Sequence, residues 1–107
     1  MWRHAVALAD LLTQIMKRHD KFYVYILKCA DERYYVGYTN DLEKRLKLHN
    51  KRNGAKYLKM RLPVRLVYAK EYAYYKNALH AERNLKKFTR KQKEELIKIY
   101  ARESRSN

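Results

Sequence analysis

Phe22-Tyr23-Val24-Tyr25-Ile26-Leu27-Lys28-Cys29 is followed, after the polar turn Ala30-Asp31-Glu32-Arg33, by Tyr34-Tyr35-Val36-Gly37-Tyr38. The first run is dense in β-branched and aromatic side chains, the composition that fits a pleated strand. Both of its alternating faces are apolar, which predicts a central strand covered on two sides. The tight connection returns the second run antiparallel beside the first.

Working outward toward the C-terminus, Asn40 reads as a helix N-cap and Glu43 as its capping-box partner, with the helix running from Asp41 to about His49. Residues 50–63 have loop character, broken by Asn53-Gly54. Val64 to Tyr72 is a third strand. Tyr74 or Tyr75 opens a helix that continues to about Lys87, and Thr89 caps a last helix from Arg90 to about Arg102. Toward the N-terminus, Trp2, Ala5, Val6, Ala9, Leu12 and Met16 fall at helical spacing, so residues 2 to about 17 read as an amphipathic helix. Its apolar stripe must cover either this domain or a second copy, so the chain is a monomer or a homodimer through that helix. Met16 is an alternative start to Met1. The expected organisation is a helical extension over 1–20, a domain over 21–102 and a polar, frayed tail over 103–107. The order of elements predicts an α+β fold: a three-stranded antiparallel sheet flanked by helices, with an extra N-terminal helix.

The chain is 107 residues long, enough for one small core. Its 26 Lys and Arg against 11 Asp and Glu give a net charge of +15, which predicts a polyanionic partner, most simply nucleic acid. Of the hydrophobic residues 11 are Tyr, whose hydroxyls need polar partners, so part of the aromatic content is expected to line a wet site. The single cysteine, Cys29, excludes an internal disulfide and reads as a small buried hydrophobe. His4, His19, His49 and His80 lack ligand spacing, which argues against a Cys/His metal cluster. No apolar run approaches the roughly 20 residues that span a bilayer, and Asp10 interrupts the N-terminal one. No signal peptide and a cytoplasmic location are expected.

Several residues stand out against this frame. Arg45 and His49 are one helical turn apart and share a face, where they can grip phosphate oxygens or simply belong to a solvated surface. Ala78, Leu79, Glu82 and Leu85 form one stripe, so Glu82 takes the place of a core residue. A buried carboxylate needs a cation, which is either a structural Lys or Arg partner or a hard metal ion. Tyr25 and Tyr35 lie on neighbouring strands, as a cross-strand aromatic pair or as site phenols. Around them lie two cationic clusters. The first contains Lys44, Lys51, Arg52, Lys56, Lys59 and Arg61, with Tyr57 placed to stack on a base or hold a phosphate. The second contains Arg83, Lys86 and Lys87. Such cations contact nucleic-acid backbone without reading sequence.

Taken in order, these residues resemble the GIY-YIG endonuclease superfamily, in particular its small stand-alone members, which are similar to the N-terminal domain of the excision-repair protein UvrC. Tyr23-Val24-Tyr25 matches the first motif, with Tyr23 in place of its glycine, and Tyr35-Val36-Gly37 matches the second. Thr39 to Leu46, then His49-Asn50, resembles the family's first helix, and Gly54-Ala55-Lys56-Tyr57 and Pro63 to Tyr68 resemble the stand-alone group. The resemblance implies that Tyr25 activates the attacking water, Tyr35 orients water or phosphate, Arg45 stabilises the transition state, and His49 assists it or moves a proton. It implies that Glu82 holds one divalent cation, Mg²⁺ or Mn²⁺, and that Gly37 permits a close backbone approach. The function implied is structure-directed hydrolysis of DNA phosphodiesters, in repair or recombination. The alternative is a non-catalytic nucleic-acid-binding module that keeps the fold, and a third reading is an RNA-directed role, either cleavage or ribosome association.

Overall fold

The computed structural model describes residues 21–51 and 54–106. The N-terminal amphipathic segment, with any dimer contact it makes, and Arg52 lie outside the described residues. Strands β1 (Phe22–Lys28), β2 (Tyr34–Thr39) and β3 (Arg65–Tyr72) form one antiparallel sheet in the order β2-β1-β3. The chain adds helices α1 (Leu42–Asn50), α2 (Tyr75–Lys86) and α3 (Arg90–Ser106), and a 3₁₀ turn at Lys56–Leu58. This is the α+β architecture that the strand pattern predicts, with the doubly apolar run at the centre. Among the described residues no helix is long and apolar enough to cross a membrane.

The period-two alternation of β1 sorts its side chains into two cores. Phe22, Val24 and Ile26 pack with Val36, Ala78 and Leu85, and with Leu96 and Ile97 of α3 at the margin. Tyr25, Leu27 and Cys29 face the other way, toward Leu58 and Val64, with Leu42 and Leu46 of α1 alongside. Helices α2 and α3 therefore share one face of the sheet, and α1 with the 54–64 segment occupies the other.

Two helix ends differ from the sequence expectation. The N-cap of α1 is Asp41, not Asn40: its carboxylate accepts from the Lys44 N–H at 3.1 Å, and the Thr39 hydroxyl accepts from the Asp41 N–H at 3.1 Å. Glu43 does not turn back to the cap but pairs with Lys47 at 3.3 Å. At the other end, α3 continues to Ser106, because the polar tail contains no Gly or Pro to stop it. Its start is the expected one. Thr89 Oγ1 accepts from the Gln92 N–H at 3.1 Å, and Gln92 Oε1 accepts from the Thr89 N–H at 2.8 Å. This reciprocal pair satisfies two donors that a bare helix start leaves open.

Candidate active site

The β1–β2 register sets Tyr25 opposite Gly37 and Leu27 opposite Tyr35, so both phenols rise from the same face. Gly37 is required by the space above it. A Cβ there would lie 2.5 Å from Tyr25 Oη, 2.7 Å from its Cζ and 3.1 Å from Tyr35 Cε1. Glycine thus lets the Tyr25 ring lie across β2, which gives the Tyr-Val-Gly motif a steric cause.

His49 comes up from α1 and is almost wholly buried, 1% exposed. It does not share Arg45's exposed surface, as a simple helical-face reading would have it. Its Nε2 lies 3.3 Å from Tyr25 Oη, and its Nδ1 accepts from the Ala55 N–H at 3.1 Å. With Nδ1 accepting, the neutral ring carries its proton on Nε2 and donates it to the Tyr25 oxygen. Gly54 has no side chain because a Cβ there would run into the imidazole. Gly54, read from sequence only as part of a break in periodicity, is thus a seat for His49. Asn50 completes the anchor: it accepts from the Val64 N–H at 2.8 Å and donates to the Val64 carbonyl at 3.2 Å.

Glu82 arrives from α2, on the opposite side of the sheet. It, Tyr25, Tyr35 and Arg45 line one cleft of about 380 Å³, together with Tyr38 and Gly37. Glu82 is 8% exposed. Among the described residues its one ion pair is with the half-exposed Lys86, at 3.7 Å, so there the carboxylate is not sealed in an internal bridge. Tyr38 was not singled out from sequence. It packs against the core under α2, and its hydroxyl lies 3.4 Å from that of Tyr75.

The field in the cleft is mixed. Burial raises the Tyr25 pKa first, with Tyr35 and Glu82 adding to the rise and Arg45 opposing it. Burial and then Glu82 raise that of Tyr35, again against Arg45. Burial and Arg45 lower that of His49. Both phenols are therefore protonated and the imidazole neutral near neutral pH. The cleft offers hydroxyl donors, one guanidinium and one carboxylate, and any proton acceptance by a phenol needs added positive charge nearby.

The cations expected at nucleic acid divide between the two sides. Lys44, Lys51, Lys56 and Lys59 are exposed on α1 and the following segment, and Arg83, Lys86 and Lys87 are exposed on α2. Arg61 is different: its side chain is only 23% exposed and its Nε stands 3.1 Å from Asp31 Oδ2. Its guanidinium lies over the Tyr57 ring, 4.1 Å from the centroid, so that ring surface is already covered.

Residues 21–95 match the family model described as GIY-YIG catalytic domain. The UPF0213 protein of Streptococcus pneumoniae is 49% identical over 77 residues, covering 72% of this chain and 78% of that protein. The UPF0213 protein YazA of Bacillus subtilis is 45% identical over 92 residues, 86% of this chain and 88% of that one. The solution NMR structure of protein EF2693 from E. faecalis superposes with a TM-score of 0.53 at 38% identity, over 76% of this chain and 86% of that one. That of the UPF0213 protein BH0048 from Bacillus halodurans gives 0.50 at 39% identity, over 74% and 84%.

Proposed function

The chain belongs to the GIY-YIG catalytic-domain family, a family of nucleases, and on that premise we propose that it is a divalent-metal-dependent endonuclease hydrolysing DNA phosphodiesters. The observation that carries the reading is the meeting of Tyr25, Tyr35, Arg45 and Glu82 in one cleft. The +15 charge of the chain supports a nucleic-acid substrate, and the exposed lysines around α1 and α2 suit backbone contacts that follow shape rather than sequence. Repair or recombination is the setting in which structure-directed cutting is used.

The residues fit a cation site. Glu82 turns a buried carboxylate, paired at 3.7 Å with the half-exposed Lys86, into a polar cleft with room for water and phosphate. One carboxylate plus waters and substrate oxygens is an ordinary Mg²⁺ environment. Among the described residues no cluster of three or more acidic, His or Cys groups competes for it. Glu82 would hold such a cation, which would supply positive charge to the phosphate. Arg45 grips a non-bridging oxygen and stabilises the charge that develops there. Tyr35 donates its hydroxyl hydrogen to phosphate or to the attacking water. Positive charge in the cleft that offsets the raised pKa of Tyr25 lets it lose its proton to solvent; the phenolate then takes the proton of the attacking water and is a phenol again. Before that transfer His49 steadies the phenolate through Nε2–H, and its Ala55 contact keeps that tautomer in place.

The test is cleavage of branched, flapped and linear DNA with Mg²⁺ or Mn²⁺. Arg45→Ala and Glu82→Ala should each slow cutting about 100- to 1,000-fold, the usual cost of losing one charge-stabilising group. Equal cutting by all three proteins would mark a contaminant. Salt-sensitive binding with no cutting by the wild type would leave only a binding module.

A further inference from the structure

We propose that Tyr57 and Arg61 are positioning residues that brace Tyr35, rather than residues that hold nucleic acid. The Tyr57 and Tyr35 rings stack with centroids 6.1 Å apart and planes at 24°. The next neighbour of Tyr35 is His49, edge-on at 5.7 Å, so Tyr35 is held between the 3₁₀ turn and the imidazole. Arg61 locks the outer tier. Its Cζ lies 4.1 Å from the Tyr57 centroid, and its Nη1 donates to the Tyr57 carbonyl at 2.7 Å.

Arg61 is itself tied to the turn between β1 and β2. Asp31 Oδ2 stands 3.1 Å from its Nε, and the Ala30 N–H donates to its carbonyl at 3.0 Å. That Nε is buried and has no aligned hydrogen-bond partner, so Asp31 holds it as an ion pair rather than by a directed bond. Leu58, fully buried, pins the same turn into the core. The chain from Gly54 to Arg61 therefore touches two of the candidate catalytic rings: its backbone holds His49 through Ala55, and its aromatic side chain holds Tyr35. A base stacking on the covered side of Tyr57 would first have to displace a guanidinium with two partners. Fixing a reacting group to within a fraction of an ångström is worth a large factor in rate, and a 1 Å error costs on the order of 100-fold.

The kinetic half of this inference rests on the nuclease reading, and the structural half does not. The experiment uses the full chain with Tyr57→Phe, Tyr57→Leu and Arg61→Met, assayed on DNA and by NMR. The NMR readout is the set of NOEs between the Tyr35 and His49 rings, with Ile26 and Leu85 methyl shifts as the check on folding. Tyr57→Phe keeps the stack and should retain both NOEs and rate. Tyr57→Leu should lose the NOEs and lower kcat about 10- to 100-fold with KM within about twofold. Arg61→Met should move both in the same direction by less, and it carries the test if the leucine variant does not fold. NOEs unchanged in Tyr57→Leu and Arg61→Met would overturn the brace. So would a rise in KM at constant kcat, which would return Tyr57 to nucleic-acid contact. If the wild type does not cut DNA, the nuclease reading fails and the NOEs alone decide the brace.

Discussion

The two faces of this three-stranded sheet are built from the same strand by different rules. On one face Phe22, Val24 and Ile26 meet α2 and α3 through apolar contacts. On the other, Tyr25 and Leu27 meet a helix that brings a buried imidazole and an exposed arginine. Beneath that helix is an apolar crevice of about 310 Å³, bounded by Leu27, Leu42, Leu46 and Leu66 together with Tyr25 and His49. The first face is filled for stability, apart from Glu82, which α2 carries to the cleft. The second gives up packing to hold polar rings at set distances, and it fixes them by hydrogen bonds and missing Cβ atoms. The same β1 backbone thus carries a scaffold and a site one residue out of phase.

The comparison breaks first if the scaffold face is not the main source of stability. Ile26 is fully buried within the α2/α3 core. Ile26→Ala should cost about 2–5 kcal/mol, the range for a truncated core aliphatic, read as a fall in denaturant midpoint with an unchanged slope. At temperatures where the variant stays folded, DNA cutting should persist. Loss of cutting in the folded variant would mean that the two faces are not separable.

Gly37→Ala tests the site face. The new methyl meets the Tyr25 hydroxyl and ring carbon inside van der Waals distance, and Tyr25 is 2% exposed and bonded to His49, so it has little room to yield. Overpacking of this kind costs about 1–3 kcal/mol. The distinguishing result is a loss of cutting larger than the loss of stability, because the displaced atom is the hydroxyl in the cleft. An Ala variant as active as wild type would show that Tyr25 need not cross β2.

These elements were not equally legible in the sequence. The central strand, the hairpin and the Thr89 cap are local patterns, set by alternation and by near neighbours, and they are where the chain places them. The start of α1 is ambiguous in the sequence because Asn40 and Asp41 are both good caps. The choice falls to Asp41 because Thr39 hydrogen-bonds the Asp41 backbone, a local detail that composition does not carry. Glu82 was visible as a charge in an apolar stripe. The burial of His49 was not, since it depends on Gly54 and Ala55 folding back over α1, a contact that helical periodicity cannot register. Tyr57 and Arg61 sat within a basic run and looked like solvent-facing cations and a platform. Their pairing with Tyr35 and Asp31 requires the turn at 29–33 to come beside the segment at 56–61, which is tertiary information.

His49 makes the polar face pH-sensitive in a way that the apolar face is not. Its pKa is lowered by burial and by Arg45 from an ordinary value near 6.5. At higher pH the ring is neutral both folded and unfolded, and its contribution is complete. As pH falls below about 6.5 the unfolded chain gains a proton that the folded ring resists, and stability declines until the lowered folded value is passed. Protonation also removes Nδ1 as the acceptor for Ala55. Denaturation midpoints measured between pH 7.5 and 5 should therefore fall more for the wild type than for His49→Gln. Parallel profiles would show that the imidazole is not held neutral.

The smallest effects give the sharpest separation, because two helices, one on each face, begin with a side-chain cap. Asp41 starts α1 by accepting from Lys44, and Thr89 starts α3 by accepting from Gln92. Either cap changed to Ala should cost about 1 kcal/mol. The consequences differ because of what each helix carries. Helix α1 holds Arg45 and His49, so fraying its first turn loosens the arginine one turn in and lowers the cutting rate. Helix α3 lines no part of the cleft, so Thr89→Ala should lose the same stability with its cutting rate unchanged. Matched denaturation curves and cleavage rates for the two variants measure the difference directly. Equal loss of cutting in both would mean that α3 reaches the site through the sheet, and the two faces would then act as one.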